Sequence, residues 1–157
     1  MLSRMSGSLL LIAGPSGSGK SRLTRLAVEA SSALPLSLDD FYHEIDHPGM
    51  PMTPMGIPDW DRVETWDLRL ALDAISRLLD GGECEVPIYD ISLSRRVGSR
   101  TVAMGDAGLI VAEWSLLGQM ADGWILLWLR SLVIIAIVII LGTNVWCWSL
   151  LGRRLAD

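Results

Sequence analysis

One stretch decides the fold: Gly14-Pro15-Ser16-Gly17-Ser18-Gly19-Lys20-Ser21, which reads G-x-x-x-x-G-K-S. The apolar run Leu9–Ala13 precedes this pattern, and the helix-like run Arg22–Ala30 follows it. A strand, a glycine-rich loop and a helix in that order are the context in which the pattern binds phosphate. We therefore predict an α/β fold of the phosphate-loop type, with a mainly parallel sheet and flanking helices.

The chemistry of the loop predicts its ligands. Glycines let successive backbone N–H groups turn inward towards phosphate oxygens, and the following helix adds partial positive charge at its N-terminus. Lys20 reaches the β- and γ-phosphates, and Ser21 offers its hydroxyl to Mg²⁺. We expect ATP or GTP with Mg²⁺, bound by Gly14–Ser21, with Lys20 also acting in catalysis. The alternative is a glycine-rich turn with a chance lysine, which the flanking strand and helix disfavour.

Composition excludes several other classes of protein. A chain of 157 residues with a net charge of −5 fits one domain and is too acidic for a general nucleic-acid binder. Its two cysteines, Cys84 and Cys147, have no metal-binding spacing, which favours a reducing compartment. The first apolar run ends at a phosphate loop rather than at a cleavage site, so we expect a cytoplasmic protein without a signal peptide.

The acidic residues and the tryptophans divide the chain in two. Sixteen of the eighteen acidic residues lie at or before Glu113, whereas five of the seven tryptophans lie after it. We therefore treat residues 1–113 as a phosphate-loop core, and residues 114–157 as a divergent apolar tail.

Two acids are expected at the phosphate edge of the sheet. Asp39 follows the short strand predicted at Leu36–Leu38, and Glu113 ends the apolar run that begins at Leu109. In parallel sheets ligands lie beyond the carboxyl ends of the strands, where a carboxylate can hold Mg²⁺ or accept a hydroxyl proton. The alternatives are that Asp39 merely turns the chain and that Glu113 is an ordinary strand end.

The remaining segments are assigned from periodicity and from helix breakers. The sequence predicts helices over residues 22–32 and from Thr65 or Asp67 to Leu79, a loop over 44–59, and an extended piece over 85–90. His43 and His47 do not form a metal site on this pattern. Of Arg95, Arg96 and Arg100, at least two are expected in a solvated turn, and Arg96 is assigned to the substrate.

Five motifs occur in an order that resembles the uridine/cytidine kinases and their bacterial relatives. After the phosphate loop these are Ser37–Tyr42, Pro58–Asp61, Val86–Asp90 and Ile110–Glu113, and the match covers about residues 8–113. The resemblance implies phosphorylation of a nucleoside 5′-hydroxyl, with Asp39 as general base and with Ser21, Asp39 and Glu113 around Mg²⁺. It also implies that Asp61 holds the acceptor ribose and that Tyr42 and Tyr89 line the acceptor pocket.

The chain departs from this family at three places. Trp114 stands where the family usually has glycine, Ser94 stands where a base-reading histidine often occurs, and an arginine-rich lid is not recognisable in the sequence. An active kinase needs cations over the transferring phosphoryl group. Two alternatives to a nucleoside kinase therefore remain open: a nucleotide-binding protein that does not transfer phosphate, and a phosphate-loop kinase for another small hydroxyl acceptor.

Residues 124–148 allow three interpretations. The segment contains one charge, Arg130, and is long enough to span a bilayer, which would make the protein membrane-associated. Its β-branched run could instead be a buried strand that completes the sheet. A one-base slip of the reading frame near Glu113 is the third, because it would turn the Trp114 codon into a glycine codon. The expected partner is a nucleoside-like small molecule, and self-association is left open.

Overall fold

The structure is a computed structural model that describes residues 7–14 and 16–115, together with the backbone of residues 136–141 and 144–149. The strands are β1 (Ser8–Ala13), β2 (Leu34–Ser37), β3 (Glu83–Asp90), β4 (Arg95–Ala103), β5 (Leu109–Trp114), β6 (Ala136–Leu141) and β7 (Asn144–Ser149). The helices are α1 (Lys20–Ser31) and α2 (Leu68–Leu79), and 3₁₀ turns occupy Leu38–Phe41 and Val63–Thr65.

A five-stranded sheet in the order β2-β5-β1-β6-β7 forms the centre of the fold. The pairs β2–β5, β5–β1 and β1–β6 are parallel, and β7 is antiparallel to β6. The predicted mainly parallel α/β sheet is therefore confirmed. Because β1, β2 and β5 run in the same direction, the residues that follow them meet at one edge of the sheet.

Strand β5 is buried on both faces because its side chains alternate between two apolar clusters. Ile110, Ala112 and Trp114 belong to the cluster that includes α2 and the inner side of β3. Val111 packs on the opposite face with Ile12 and with α1. Trp114 is 1% exposed, and its ring stacks on that of Trp66 at 4.8 Å. The alternation places Glu113 on the face opposite Trp114.

Each of the two helices begins after a residue that is suited to the N-cap position. Helix α1 begins at Lys20, two residues before the predicted start, and its N-cap Gly19 has a φ of 89°. Helix α2 begins after Asp67, whose Oδ1 accepts a hydrogen bond from the N–H of Leu70 at 3.0 Å. Of the two predicted caps, Asp67 is thus the one used, and the predicted end at Leu79 is confirmed.

The segment around Pro35 differs from its prediction. Strand β2 already includes Leu34 and Pro35, and Leu38 starts the 3₁₀ turn instead of ending the strand. Pro35 is tolerated because β2 is the outermost strand of the sheet, where a missing N–H leaves no neighbour unpaired.

The extended piece after α2 is longer than predicted and has a partner. Strands β3 and β4 form an antiparallel hairpin that is a separate sheet. The prediction of a solvated turn for the arginines is wrong, because Arg95, Arg96 and Arg100 all lie in β4 and all form ion pairs. Arg95 pairs with Glu44 and Asp46, Arg96 pairs with Asp67, and Arg100 pairs with Asp40. Charged partners far away in sequence hold these side chains against the loop region.

The apolar tail contributes strands. Residues 136–141, part of the segment for which a membrane span was considered, form β6 beside β1. In the described part of the chain, no helix combines the length and the apolar character that crossing a bilayer requires. The rest of residues 116–157 lies outside the described residues, apart from the backbone of β7.

Candidate nucleotide and acceptor site

The phosphate loop curls back on itself between β1 and α1. Gly17 and Gly19 have φ values of 77° and 89°, in the left-handed region that favours glycine. A Cβ on Gly14 would lie 2.9 Å from the Ser18 Oγ, so a side chain at this position would clash. The N–H of Gly14 donates to the carbonyl of Trp114 at 3.2 Å, which ties the loop to the end of β5. Pro15, a predicted member of the loop, lies outside the described residues.

Several polar side-chain atoms at the loop are buried. Lys20 is only 6% exposed. Ser18 Oγ and Glu113 Oε2 are buried and have no hydrogen-bond partner among the described residues. Leaving such groups unpaired costs free energy, so their presence indicates a place where a polar ligand binds. A triphosphate would supply acceptors to the Ser18 hydroxyl and to the Lys20 ammonium group, and the residues present therefore fit a nucleotide.

Glu113 and Ser21 form a small oxygen cluster next to the loop. The Ser21 Oγ lies 3.5 Å from Glu113 Oε1, although the two residues are far apart in sequence. Mg²⁺ prefers oxygen ligands and usually uses one or two carboxylates together with substrate phosphates. Within the described residues no group of three or more His, Cys, Asp or Glu side chains could hold a metal by itself. The pair therefore fits a Mg²⁺ site that is completed by a nucleotide.

Asp39 is held firmly at the edge of the sheet. Its Oδ1 accepts from the backbone N–H of Ser115 at 3.0 Å, and its Oδ2 accepts from the Ser115 Oγ at 2.6 Å. Hydrogen bonds to a carboxylate are short and strong, so they fix its orientation. Sequence reasoning missed Ser115. Its place directly after β5 was the available signal, because the same argument had identified Asp39 and Glu113.

A cleft of about 330 Å³ connects the phosphate loop with an aromatic pocket. It is lined by Ser16, Asp39, Tyr42, Trp60, Tyr89, Ile91, Ser94 and Ser115. Four of these residues were predicted site residues, namely Ser16, Asp39, Tyr42 and Tyr89. The rings of Tyr42 and Tyr89 are 5.8 Å apart, and Trp60 packs edge-on against Tyr42 at the same distance. Trp60 was missed as a site residue although it lies within the quoted motif Pro58–Asp61.

Both tyrosines of the cleft are neutral at physiological pH. Burial raises the pKa of Tyr42 far above its usual value, and the nearby charges of Asp39 and Asp61 raise it further. Burial also raises the pKa of Tyr89, whose hydroxyl donates to the carbonyl of His43 at 3.3 Å. Asp61 directly follows the lining residue Trp60 but is not itself among the lining residues. The aromatic walls are therefore uncharged surfaces.

Arg96 supports the cleft from outside. Its guanidinium donates to the carbonyls of Tyr42 at 3.1 Å and of Phe41 at 3.3 Å, and it pairs with Asp67 at 3.3 Å. It is not a lining residue of the cleft. Backbone carbonyls and Asp67 bind its Nε and Nη2 groups, and the contact of Arg96 with substrate stays a prediction.

Sequence comparisons relate this chain to known proteins. No family model matches the chain. A Schizosaccharomyces pombe protein named uridine kinase is 33% identical over 106 residues, which is 65% of this chain and 23% of that protein. An Arabidopsis thaliana protein named inorganic pyrophosphatase TTM1 is 29% identical over 115 residues, which is 72% of this chain and 17% of that protein. The chain thus spans about a fifth of the length of these curated relatives.

Solved structures agree on the fold. A possible uridine kinase from Bacillus stearothermophilus superposes with a TM-score of 0.53 and 21% identity, covering 72% of this chain and 63% of that one. A protein assigned as a fructose transport system kinase from Silicibacter gives a TM-score of 0.52 and 17% identity, covering 73% and 56%. At these identities the likeness shows the fold of a phosphate-loop kinase.

Proposed function

Starting from the relationship of residues 8–113 to the uridine kinase-like phosphate-loop kinases, we propose that the chain transfers a phosphoryl group to a nucleoside 5′-hydroxyl. ATP is the proposed donor, with GTP as the alternative, and Mg²⁺ accompanies it. The proposed setting is the cytoplasm, in keeping with the free buried thiol of Cys84. Residues 1–113 are the proposed kinase core, and residues 114–157 a tail that includes β6.

One observation carries the proposal. Ser16 of the phosphate loop and Asp39 border the same cleft as Tyr42 and Tyr89. Phosphoryl transfer asks a protein mostly for positioning and for charge stabilisation. A cleft that joins a phosphate cradle, a carboxylate and an aromatic pocket provides both.

Each side chain has a proposed part in the reaction. The loop and Lys20 hold the triphosphate, and Ser21 and Glu113 hold Mg²⁺, with Asp39 close by. When bound, Mg²⁺ neutralises charge on the phosphates. Asp39 accepts the proton of the acceptor hydroxyl, and its two hydrogen bonds from Ser115 fix the direction in which it does so.

The cleft favours a flat acceptor. Three aromatic side chains, Tyr42, Trp60 and Tyr89, line a space of about 330 Å³, which is within the ordinary range for small-molecule pockets. Aromatic faces stack well on a planar base, whereas a bare sugar offers no such surface. Asp61, exposed beside this cluster, is the proposed partner of the ribose hydroxyls.

The test uses the purified full chain with Mg²⁺-ATP and a panel of acceptors. Uridine, cytidine, adenosine, guanosine and fructose are each incubated, and the products are separated and weighed by mass spectrometry. Formation of a nucleoside monophosphate is expected. Calorimetric ATP binding without any product would instead identify a protein that binds nucleotide and does not transfer phosphate. Product from fructose alone would reject the nucleoside as acceptor.

A further inference from the structure

The hydroxyl group of Ser115 is the nearest described hydroxyl to the proposed base. Its Oγ lies 2.6 Å from Asp39 Oδ2, and the backbone N–H of the same residue lies 3.0 Å from Oδ1. An ionised carboxylate only accepts hydrogen bonds, so the Ser115 hydroxyl is the donor and its proton points at Asp39. In the nucleoside reaction proposed above, this hydrogen bond only orients Asp39, and the Ser115 proton is not transferred.

Ser115 is also adjacent to the phosphate loop. The residue before it, Trp114, pairs with Ala13 at the end of β1 and accepts a hydrogen bond from the N–H of Gly14 at 3.2 Å. Ser115 therefore follows directly the point at which β5 joins the loop. Ser115 and Ser16 line the same cleft, and Ser115 is only partly buried, so its hydroxyl is open to that cleft.

These two relationships are the ones expected of an attacking hydroxyl. A nucleophile must lie within hydrogen-bond reach of its base and near the group that it attacks. Ser115 meets the first condition through Asp39 and the second through its position beside the phosphate loop. In the absence of a bound acceptor, the hydroxyl that Asp39 activates is therefore one of the chain's own.

We propose that Ser115 is a phosphoryl acceptor of this chain and is phosphorylated in cis. The Ser115 Oγ forms a bond to the γ-phosphorus of the bound nucleoside triphosphate, and the bond from that phosphorus to the bridging oxygen breaks. The nucleoside diphosphate leaves with the electron pair, and the hydroxyl proton passes to Asp39 Oδ2. The inference rests on the nucleotide-binding half of the proposed function and on Asp39 as base.

The product would change the site. A phosphoserine carries about −1.5 to −2 charges, and here it would stand beside the Asp39 carboxylate in the cleft that Ser16 also lines. Like charges at this distance repel, so the modified chain should bind a second nucleotide poorly. The reaction would therefore stop after one phosphoryl group per chain.

The direct test measures the mass of the protein itself. The full chain is incubated with Mg²⁺-ATP and without nucleoside, and intact-mass spectra and peptide mapping follow. We expect the mass of one phosphoryl group, located on Ser115, to appear at a rate that does not depend on protein concentration. Ser115→Ala should abolish the modification, and Ser115→Thr should restore it on the new hydroxyl. Ser99→Ala, at an exposed position of β4, is the matched control and should be modified like the wild type.

A second test needs no nucleotide. If Ser115 and Asp39 are bonded as described, Ser115→Ala should lower the Tm of the nucleotide-free protein by about 3–10 °C. The same substitution in an Asp39→Ala background should change the Tm little, because the partner is already gone. Equal Tm shifts in the two backgrounds would show that the contact is absent, and would overturn the inference.

The outcomes separate this inference from the proposed function. Nucleoside monophosphate formed without phosphoserine at Ser115 would overturn the inference alone. Phosphoserine at Ser115 without any nucleoside product would support the inference and contradict the proposed acceptor. A phosphoryl group mapped to another residue, or a failure to bind ATP, would overturn the inference, and the latter result would also overturn the proposed function.

Discussion

Asp39 follows β2 and Glu113 lies near the end of the neighbouring strand β5, yet their surroundings give them different chemistry. Both oxygens of Asp39 accept hydrogen bonds from Ser115. Glu113 has one oxygen 3.5 Å from the Ser21 hydroxyl and a second, buried oxygen without a partner among the described residues. A fixed carboxylate suits proton transfer, and a carboxylate with an unused buried oxygen suits a cation. The hydrogen bonding of the two carboxylates thus favours Asp39 as the base and Glu113 as the Mg²⁺ ligand.

The role of Asp39 leads to a prediction about transfer. Asp39→Asn keeps the shape of the side chain but removes its basicity, so kcat for nucleoside phosphorylation should fall by about 10²–10⁴. ATP affinity measured by calorimetry should stay within a few fold, because Asp39 does not belong to the phosphate loop. Asp73→Asn, on the exposed side of α2, is the control and should keep full turnover. An Asp39→Asn protein with wild-type turnover would exclude this residue as base.

Lys20 supports a prediction about binding. The Lys20 side chain is buried at the start of α1. Lys20→Ala should therefore weaken the binding of ATP by about 2–5 kcal/mol, which is a loss of affinity of roughly 30- to 5000-fold. Isothermal titration with Mg²⁺-ATP measures the change. Arg25→Ala removes an exposed positive charge from the same helix and should leave the affinity nearly unchanged. Equal affinities for Lys20→Ala and the wild type would reject the phosphate-loop assignment.

At the scale of elements, the β3–β4 hairpin shapes the acceptor side of the cleft. Its turn supplies Ile91 and Ser94 to the cleft, and Ser94 has a φ of 50°. The hairpin is joined to the segment after β2 by hydrogen bonds and ion pairs, among them the bond from Tyr89 N–H to Asp40 at 3.3 Å. The position of the pocket therefore depends on contacts between segments about 50 residues apart.

Two adjacent arginines of β4 allow a matched comparison. Arg96 is partly buried and donates to two carbonyls and to Asp67, whereas Arg95 forms exposed ion pairs. Arg96→Met should lower the free energy of unfolding by about 1.5–3 kcal/mol, because buried acceptors lose a charged donor. Arg95→Met should cost at most about 1 kcal/mol. Urea denaturation gives both values, and a larger loss for Arg95→Met would contradict this account of the hairpin.

Trp114 connects β5 to α2 and the hairpin through the core. Because it is fully buried and stacked on Trp66, Trp114→Gly should destabilise the protein by about 3–5 kcal/mol. Trp114→Phe should cost less, since it keeps an aromatic ring and removes an indole N–H that has no partner among the described residues. Chemical denaturation monitored by circular dichroism tests whether Trp114→Gly destabilises the protein more than Trp114→Phe does. A stable Trp114→Gly protein would mean that the core does not depend on this residue.

For the molecule as a whole, the sequence predicted the parts that depend on local pattern. The run Leu9–Ala13, the loop and the amphipathic α2 were recognisable because strand, glycine and helix signals lie within a few residues of one another. The shared edge of the sheet then brought Asp39 and Glu113 to the phosphate loop. The arginines of β4 were misassigned because their acidic partners lie elsewhere in the chain. Ser115 was missed although it directly follows β5, because a hydroxyl group at a strand end is a weaker indicator of metal or proton chemistry than a carboxylate.

The stability of the whole domain should depend on pH through His43. Burial, and then the adjacent ring of His47 stacked at 3.8 Å, lower the pKa of His43 below its usual value of 6.5. Between that lowered pKa and 6.5 the folded protein binds fewer protons at His43 than the unfolded chain does. The free energy of unfolding should therefore fall as pH decreases below about 6.5, whereas above that value this contribution is fully present.

Urea denaturation at about pH 7.5, 6.5 and 5.5 measures this dependence. His43→Gln should remove part of the decrease. In His47→Gln the decrease should be smaller but still present, because burial is the larger cause of the shift. An identical decrease in His43→Gln and wild-type protein would assign the pH dependence to other groups.

The position of β1 has a consequence for the order of events during synthesis. Ser8 pairs with Leu109, so the second strand of this pair leaves the ribosome about 100 residues after the first. At typical elongation rates of about 5–20 residues per second, β1 waits roughly 5–20 s for its neighbour. During this time its apolar edge is exposed to other chains. The second edge of β1 stays open until β6, which ends at Leu141, has also emerged, so the newborn protein should depend on chaperone protection until then.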